Sequence, residues 1–151
     1  MNSMSQRTKG ILTFVGLVSL LIYSFYASAG PPNVKMLKNT KYTIGEVRYE
    51  YYNNKNGLGF DIEFYNNYDR IRAHRNGEFI FGRKYLVAYD STNSKNGYII
   101  LDKYDITDSL SKYNIHEEGG YYKKSWSLEK IPFQYNKSDI EHDVKMAVIN
   151  W

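Results

Sequence analysis

The strongest constraint on this chain is an apolar run near its start, Gly10–Ala29, which has 20 residues and no charged side chain. A helix of that length spans about 30 Å, the hydrocarbon thickness of a bilayer. Ten of these residues are Leu, Ile, Val or Phe, and together they favour insertion by about 3 to 6 kcal/mol. A core helix of a soluble protein keeps a polar face, which this run lacks. We therefore expect residues 10–30 to form a transmembrane helix after a polar tail at 1–9.

The fate of this segment has two interpretations. Ala27-Ser28-Ala29 has the small-x-small form of a signal-peptidase site, and cleavage after Ala29 would release a secreted or periplasmic soluble protein. Phe25 and Tyr26 are bulky at positions where a cleavage region is usually polar. With Tyr23 they are typical of the aromatic belt of a retained helix. The pattern favours a retained signal-anchor, and the cleaved form stays open as the alternative.

Charged residues flank the apolar run on both sides. Arg7 and Lys9 precede it, whereas Lys35, Lys38 and Lys41 follow it within the distance that influences orientation. A short positive N-terminus before a first apolar helix usually leaves the following domain outside the cytoplasm. We expect an extracytoplasmic, periplasmic domain on a single-pass membrane helix. The chain has no cysteine, which excludes a lipid-modified cysteine and a disulfide framework.

The remainder has the length and composition of one β-rich domain. Pro31-Pro32 ends the helix, so residues 31–40 are expected to be a linker and 41–151 a single domain. Two of the 20 basic residues precede the apolar run, so 18 face 16 acidic residues in the rest. This balance excludes the dense basic field of a nucleic-acid-binding protein. The 16 tyrosines favour strands, where the ring packs and the hydroxyl stays in water.

Alternation of apolar and polar residues predicts most of the secondary structure. Asn76-Gly77 is the clearest hairpin signal. We expect a mainly β fold, a small antiparallel barrel or sandwich of about six to seven strands. The predicted strands lie at 42–51, 58–64, 70–75, 79–81, 85–89, 98–101 and 121–128.

The C-terminal residues 138–151 fit two patterns. Ser138 and Glu141 have the spacing of a capping box, and a helical stripe follows them. Val144, Met146 and Val148 also alternate as a strand would. We predict a short C-terminal helix. The stripe consists of Ile140, Val144, Ala147, Val148 and Trp151.

One part of the chain resembles a known group of proteins. The motifs, in order, are Gly45-x-Val47, a polar hairpin, a second strand, Gly82-x-x-Tyr85-x-Val87-x-Tyr89-Asp90-x-x-Asn93 and Ile99-Ile100-Leu101. This order resembles a pattern of uncharacterised bacterial envelope proteins that place a small β-barrel-like domain next to one or two membrane helices. The resemblance covers Tyr42 to Leu101 and departs at Ser94, where that pattern commonly has proline. It implies a fold and a location, but no catalytic residue or cofactor.

Two local clusters contain residue types that could bind a metal, and such a site would support a metal-dependent hydrolase. One is His116-Glu117-Glu118, and the other is Asp139, Glu141, His142 and Asp143. Neither has a recognised zinc spacing, so a charged loop and a solvated helix start explain them. The chain has no cysteine nucleophile and no G-x-S-x-G motif. We expect a non-catalytic protein without a cofactor.

The most specific functional signal is a set of basic residues around the predicted hairpin. If the two strands that carry them pair, they form one basic patch, which could contact anionic lipid headgroups or an acidic polymer. A solvated strand face, or an edge protected by charge, is the simpler and favoured explanation. We therefore expect a binding or structural module that contacts the bilayer through Gly10–Gly30. Another envelope protein is a further candidate partner. The patch residues are Arg70, Arg72, His74, Arg75, Arg83 and Lys84.

Overall fold

The computed structural model describes residues 10–11, 13–20, 30–55, 57–67 and 69–151. Residues 10–11 and 13–20 of the apolar run are helical. The other parts of the predicted transmembrane helix, the polar tail and the cleavage motif Ala27-Ser28-Ala29 lie outside the described residues. None of the described helices has both the length and the hydropathy needed to cross a bilayer.

The domain is built on one open, antiparallel sheet of five strands in the order β3-β2-β1-β4-β5. This confirms the mainly β class, but the closed barrel or sandwich of six to seven strands is wrong. Residues 79–81 lie in the loop before β4, and the predicted strand 121–128 contributes a single bridge between Tyr42 and Trp126. The strands are β1 (Thr40–Asn53), β2 (Gly57–Asn66), β3 (Asp69–Asn76), β4 (Lys84–Asp90) and β5 (Tyr98–Asp105).

The sheet curls so that its inner face is filled without closure of the backbone. Phe64 of β2 and Tyr98 of β5 stand in edge-to-face contact with centroids 4.9 Å apart, although β1 and β4 separate their strands. Phe79 packs on Phe60 and Tyr85 from the loop before β4. Side chains therefore seal this face, which explains why a barrel-like alternation accompanies an open sheet. Its most deeply buried residues include Val47, Phe60, Ile62, Phe64, Ala73 and Val87.

The outer face of the sheet packs against the C-terminal helix, Lys137–Ile149, as predicted. Ile140, Val144 and Val148 are buried in the same cluster as Ile44 and Leu86. Full burial of one such side chain is worth about 1.5 to 3 kcal/mol, so this stripe holds the helix on the sheet.

The helix begins two residues earlier than the predicted capping box implies. Asn136 is the N-cap, and its side-chain oxygen accepts a hydrogen bond from the Ser138 amide at 3.0 Å. Ser138 and Glu141 therefore lie within the helix. Glu141 forms an ion pair with Lys145 one turn later, at 2.9 Å.

The predicted linker is packed against the domain. Val34–Lys38 forms a 3₁₀ helix, and Met36 within it is fully buried in the core. Asn33 donates its amide to the carbonyl of Asn96 at 3.2 Å. A Cβ added to Gly97 would lie 2.3 Å from the nitrogen of Pro32. The chain therefore enters the domain at a fixed place, beside the β4–β5 turn (residues 91–97).

Substitution of Gly97 tests this contact. Gly97 has φ +87° and Gly119 has φ +65°. A Cβ added at Gly97 would collide with Pro32, whereas one added at Gly119 would meet no atom within 4 Å. We expect Gly119→Ala to lower the free energy of unfolding by about 1 kcal/mol because of the left-handed backbone. Gly97→Ala should cost about 2 to 3 kcal/mol, since Pro32 is also displaced. Chemical denaturation measures both, and equal losses would contradict a packed linker.

Candidate functional site

The predicted basic patch divides into two groups because the strands that carry it do not pair. β3 lies at one edge of the sheet, and β2 and β1 separate it from β4. Arg70, Arg72 and His74 therefore lie on an edge strand. Lys84 begins β4 and Arg83 precedes it, so two strands lie between the two groups. The pairing on which a single patch depends does not occur.

The β3 group is engaged by carboxylates of the neighbouring strand. Arg70 Nη2 donates to both carboxylate oxygens of Glu63 at 2.8 Å. Arg72 donates to Asp61 at 3.0 Å through Nε, and His74 Nδ1 contacts the other oxygen of Asp61. The two carboxylates are only 5 to 6% exposed. A buried carboxylate needs such partners. The main role of these basic side chains is therefore to stabilise the sheet.

Tyrosine rings cover the same group. The Arg72 guanidinium lies 4.7 Å from the centroid of Tyr49, and that of Arg70 lies 4.7 Å from the centroid of Tyr121. Arg48 approaches the Tyr121 ring at 5.6 Å and donates to the carbonyl of Gly120. Ion pairing with Glu63 raises the pKa of Arg70. The arginines are thus fixed between carboxylates and rings.

The β4 group is paired as well. Arg83 Nε donates to Asp105 at 2.6 Å, and its Nη2 donates to Asp108 at 2.8 Å. These bonds raise the pKa of Arg83. Lys84 Nζ lies 3.3 Å from Glu46 Oε1. The other oxygen of Glu46 lies 2.7 Å from Arg48 Nη2, but the angles of this ion pair are not those of a hydrogen bond.

Arg75, the remaining residue of the predicted patch, belongs to the opposite face of β3. Its guanidinium lies 4.9 Å from the centroid of Tyr98 and 5.0 Å from that of Trp151. It therefore spans the gap between the two edge strands. Five of the six residues contact carboxylates, and Arg75 lies against two aromatic rings. The six side chains therefore do not form a continuous basic surface.

The β4–β5 turn carries a polar centre that sequence reasoning missed. Asp90 is 2% exposed and accepts hydrogen bonds from the Thr92 amide and hydroxyl, the Asn93 amide and the Asn96 side chain. Burial alone would raise the pKa of Asp90, but these bonds outweigh it and lower the pKa. The Asp-x-Thr-Asn sequence is the available signal, because such side chains bond the backbone two residues on.

The two histidine clusters are not assembled into a metal site. His116 and His142 are exposed, and Asp143 accepts a hydrogen bond from the Tyr104 hydroxyl at 2.9 Å. Within the described ranges, no three His, Asp or Glu side chains lie close enough together to hold a metal ion.

A shallow groove of about 270 Å³ lies between β5 and the C-terminal helix. Ile99 and Leu101 form its floor, and Met146 and Ala147 form its helical side. Asp143 and Lys103, 3.4 Å apart, border it. The groove brings together apolar side chains, the ion pair of Lys103 with Asp143 and the hydroxyl of Tyr104, which is held by the same carboxylate.

Comparison with known proteins gave no matching family model, no matching curated protein and no matching solved structure. The resemblance to bacterial envelope proteins therefore stays a prediction.

The structural role of the β3 group can be measured. Arg72→Met removes a charged donor from the buried Asp61 carboxylate, so we expect a loss of about 2 kcal/mol in unfolding free energy. Adding Asp61→Leu should recover part of that loss, because no buried charge is then left unpaired. Lys145→Met is the control, since Lys145 and Glu141 are both half exposed and such pairs contribute about 0.3 to 0.5 kcal/mol. Equal losses for Arg72→Met and the control would refute the assignment.

Acid should weaken the domain through two aspartates. Burial tends to raise the pKa of Asp105, but bonds from Thr107 and Arg83 outweigh it, so its pKa, like that of Asp90, is lowered. A carboxylate with a lowered folded pKa stabilises above its unfolded pKa of about 3.9, and this stability is lost as the pH falls further. Denaturation below about pH 4 should therefore show falling stability. Asp90→Asn should flatten that fall, and parallel curves for both proteins would contradict the prediction.

Proposed function

We propose that this chain is a membrane-anchored, non-catalytic binding or structural module of the bacterial envelope. The apolar run holds it in a bilayer, and the β domain lies outside the cytoplasm. The sequence pattern around Gly45 and Gly82 supports the envelope assignment as a resemblance only. No cofactor is part of the proposal.

One observation carries the anchor. Large apolar side chains stand on several sides of the described helical residues and are more than half exposed: Ile11 by 65%, Phe14 by 69%, Leu17 by 57% and Leu20 by 68%. A helix that is apolar around most of its surface requires burial in a protein or a membrane. The described part of the domain does not cover these side chains, so lipid is the environment that fits them.

The polar groups of this helix are consistent with lipid. Ser19 donates its hydroxyl to the carbonyl of Val15 at 2.8 Å. An unpaired hydroxyl costs free energy in an apolar medium, and this bond within the helix removes that cost. Insertion of residues 10–29 therefore needs no partner for Ser19.

The proposed non-catalytic role is supported by the pairing of the acidic side chains. Asp61, Glu63 and Asp105 hold basic partners in fixed pairs. Groups used in this way stabilise a surface and are poorly placed to transfer protons. The sheet therefore fits a rigid scaffold better than a catalyst.

The anchor is tested by charge substitution in the apolar run. Leu17→Arg with Leu20→Arg should move the full chain from the carbonate-resistant membrane fraction to the soluble fraction. Two arginines near a helix centre cost about 5 to 7 kcal/mol, which exceeds the gain of about 2.4 to 4.8 kcal/mol from the eight strongly apolar residues that remain. Ile80→Arg with Phe81→Arg is the matched control, because both side chains are 60% exposed in the domain. This control should stay in the membrane.

The intact mass of the mature protein separates the anchor from its alternative. A mass that includes residues 10–29 supports the anchor. A mature chain that begins at Gly30 would overturn it and would support the secreted or periplasmic soluble protein, whose role would be that of a protective or interaction partner.

A further inference from the structure

We propose that the end of the domain at which the chain enters is a docking surface for anionic phospholipid headgroups of the anchoring membrane. The surface consists of Val34, Lys35 and Lys38, beside the β4–β5 turn. This inference rests on the proposed anchor and names the lipid class that the domain contacts.

The first step is the absence of slack between the apolar run and the domain. The run ends at Ala29, and Gly30 is already in contact with the β4–β5 turn: a Cβ added to Gly30 would lie 2.1 Å from the carbonyl oxygen of Lys95. Pro32 is buried against Gly97, and Asn33 bonds Asn96. Four consecutive residues therefore run along the domain surface, with no free spacer after residue 29.

The second step is the thickness of the bilayer surface. The polar headgroup layer is about 5 to 7 Å thick on each side of the hydrocarbon core. In the proposed anchor, residues 10–29 occupy the hydrocarbon core, so Gly30 and the turn beside it lie at the level of the headgroups. The domain cannot move away without breaking the contacts of Pro32 and Asn33.

The third step is the chemistry of this end. Lys35 and Lys38 are exposed on the 3₁₀ helix, and neither forms an ion pair with the described residues. Val34, between the entering chain and the lysines, is 64% exposed. Apolar and basic side chains together suit an anionic membrane surface.

The acidic residues of this end offset the lysines only in part. The Asp90 carboxylate is buried and bonded within its turn. Asp69, at the β2–β3 turn, is exposed, and Asn67 of that turn donates to the carbonyl of Ser91. Glu141 lines the same groove as Lys38, but it is already paired with Lys145 at 2.9 Å. Lys35 and Lys38 are therefore exposed cations that form no ion pair with a described carboxylate, in contrast to the paired cations on β3.

The test uses the full chain in nanodiscs made from phosphatidylcholine with or without phosphatidylglycerol. Because the chain has no cysteine, Val34→Cys carries a single fluorophore, and headgroup nitroxides report its contact with lipid by quenching. Asn54→Cys, in the β1–β2 turn at the other end of β1, is the reference position. Each lysine near an anionic surface contributes about fivefold, so the contact equilibrium at residue 34 should rise about 25-fold with phosphatidylglycerol.

Charge variants distinguish the outcomes. Lys35→Gln with Lys38→Gln should abolish the dependence on phosphatidylglycerol, as should high salt. Lys112→Gln with Lys130→Gln removes the same charge elsewhere and should preserve it. Equal quenching in both lipids, or at Asn54 instead of Val34, would overturn the docking surface while the anchor stands. A chain that fails to enter nanodiscs would overturn the proposed function itself.

Discussion

The contact between Phe64 and Tyr98 across the inner face is the interaction on which the rest of the domain depends. β-sheets twist, and a twisted sheet that is filled on one face curls around its filling. Here aromatic rings from strands that are not neighbours meet at 4.9 Å, and Phe79 fills the space above Phe60. Edge-to-face pairs of this kind add about 0.5 to 1.5 kcal/mol beyond their burial. Side-chain packing therefore performs the closure that backbone hydrogen bonds perform in a barrel.

An open sheet leaves two edges, and the charged residues manage them. On β3, basic residues point towards the carboxylates of β2 and present charged groups along an unpaired edge, which discourages pairing with another chain. This explains why basic residues so close in sequence create no basic field: Asp61 and Glu63 balance Arg70 and Arg72. The same carboxylates would be costly if left alone. Arg70 and Arg72 therefore have two roles, because they neutralise the buried carboxylates and also place charge along the sheet edge.

The elements that local periodicity controls could be predicted from the sequence. β1, β2 and β3 follow an alternation of period 2, and the C-terminal helix follows a stripe of period 3.6. β4 and β5 are instead marked by short runs that are apolar on both faces, as expected of buried strands. The strand order could not be predicted, because no local sequence pattern says which strands lie side by side. The sequence around Arg72 and Lys84, for example, does not reveal that β3 and β4 are not neighbours. The segment 106–136 buries Ile106, Leu110 and Phe133 without regular strands, so its apolar residues follow no period. The same limit applies to the candidate patch, because its continuity depends on the pairing of β3 with β4, and β2 and β1 lie between these strands.

The linker shows how a glycine can decide a larger arrangement. Pro31-Pro32 indicates a stiff connection, and stiffness alone would allow the domain to stand away from the apolar run. Gly97, with its positive φ and no side chain, lets Pro32 lie directly on the β4–β5 turn, and Asp90 holds that turn through Asn96. The direction in which the chain leaves the domain is therefore set by a buried carboxylate several residues away. A change at Asp90 would therefore act on the packing of Pro32 against the turn as well as on the stability of the domain.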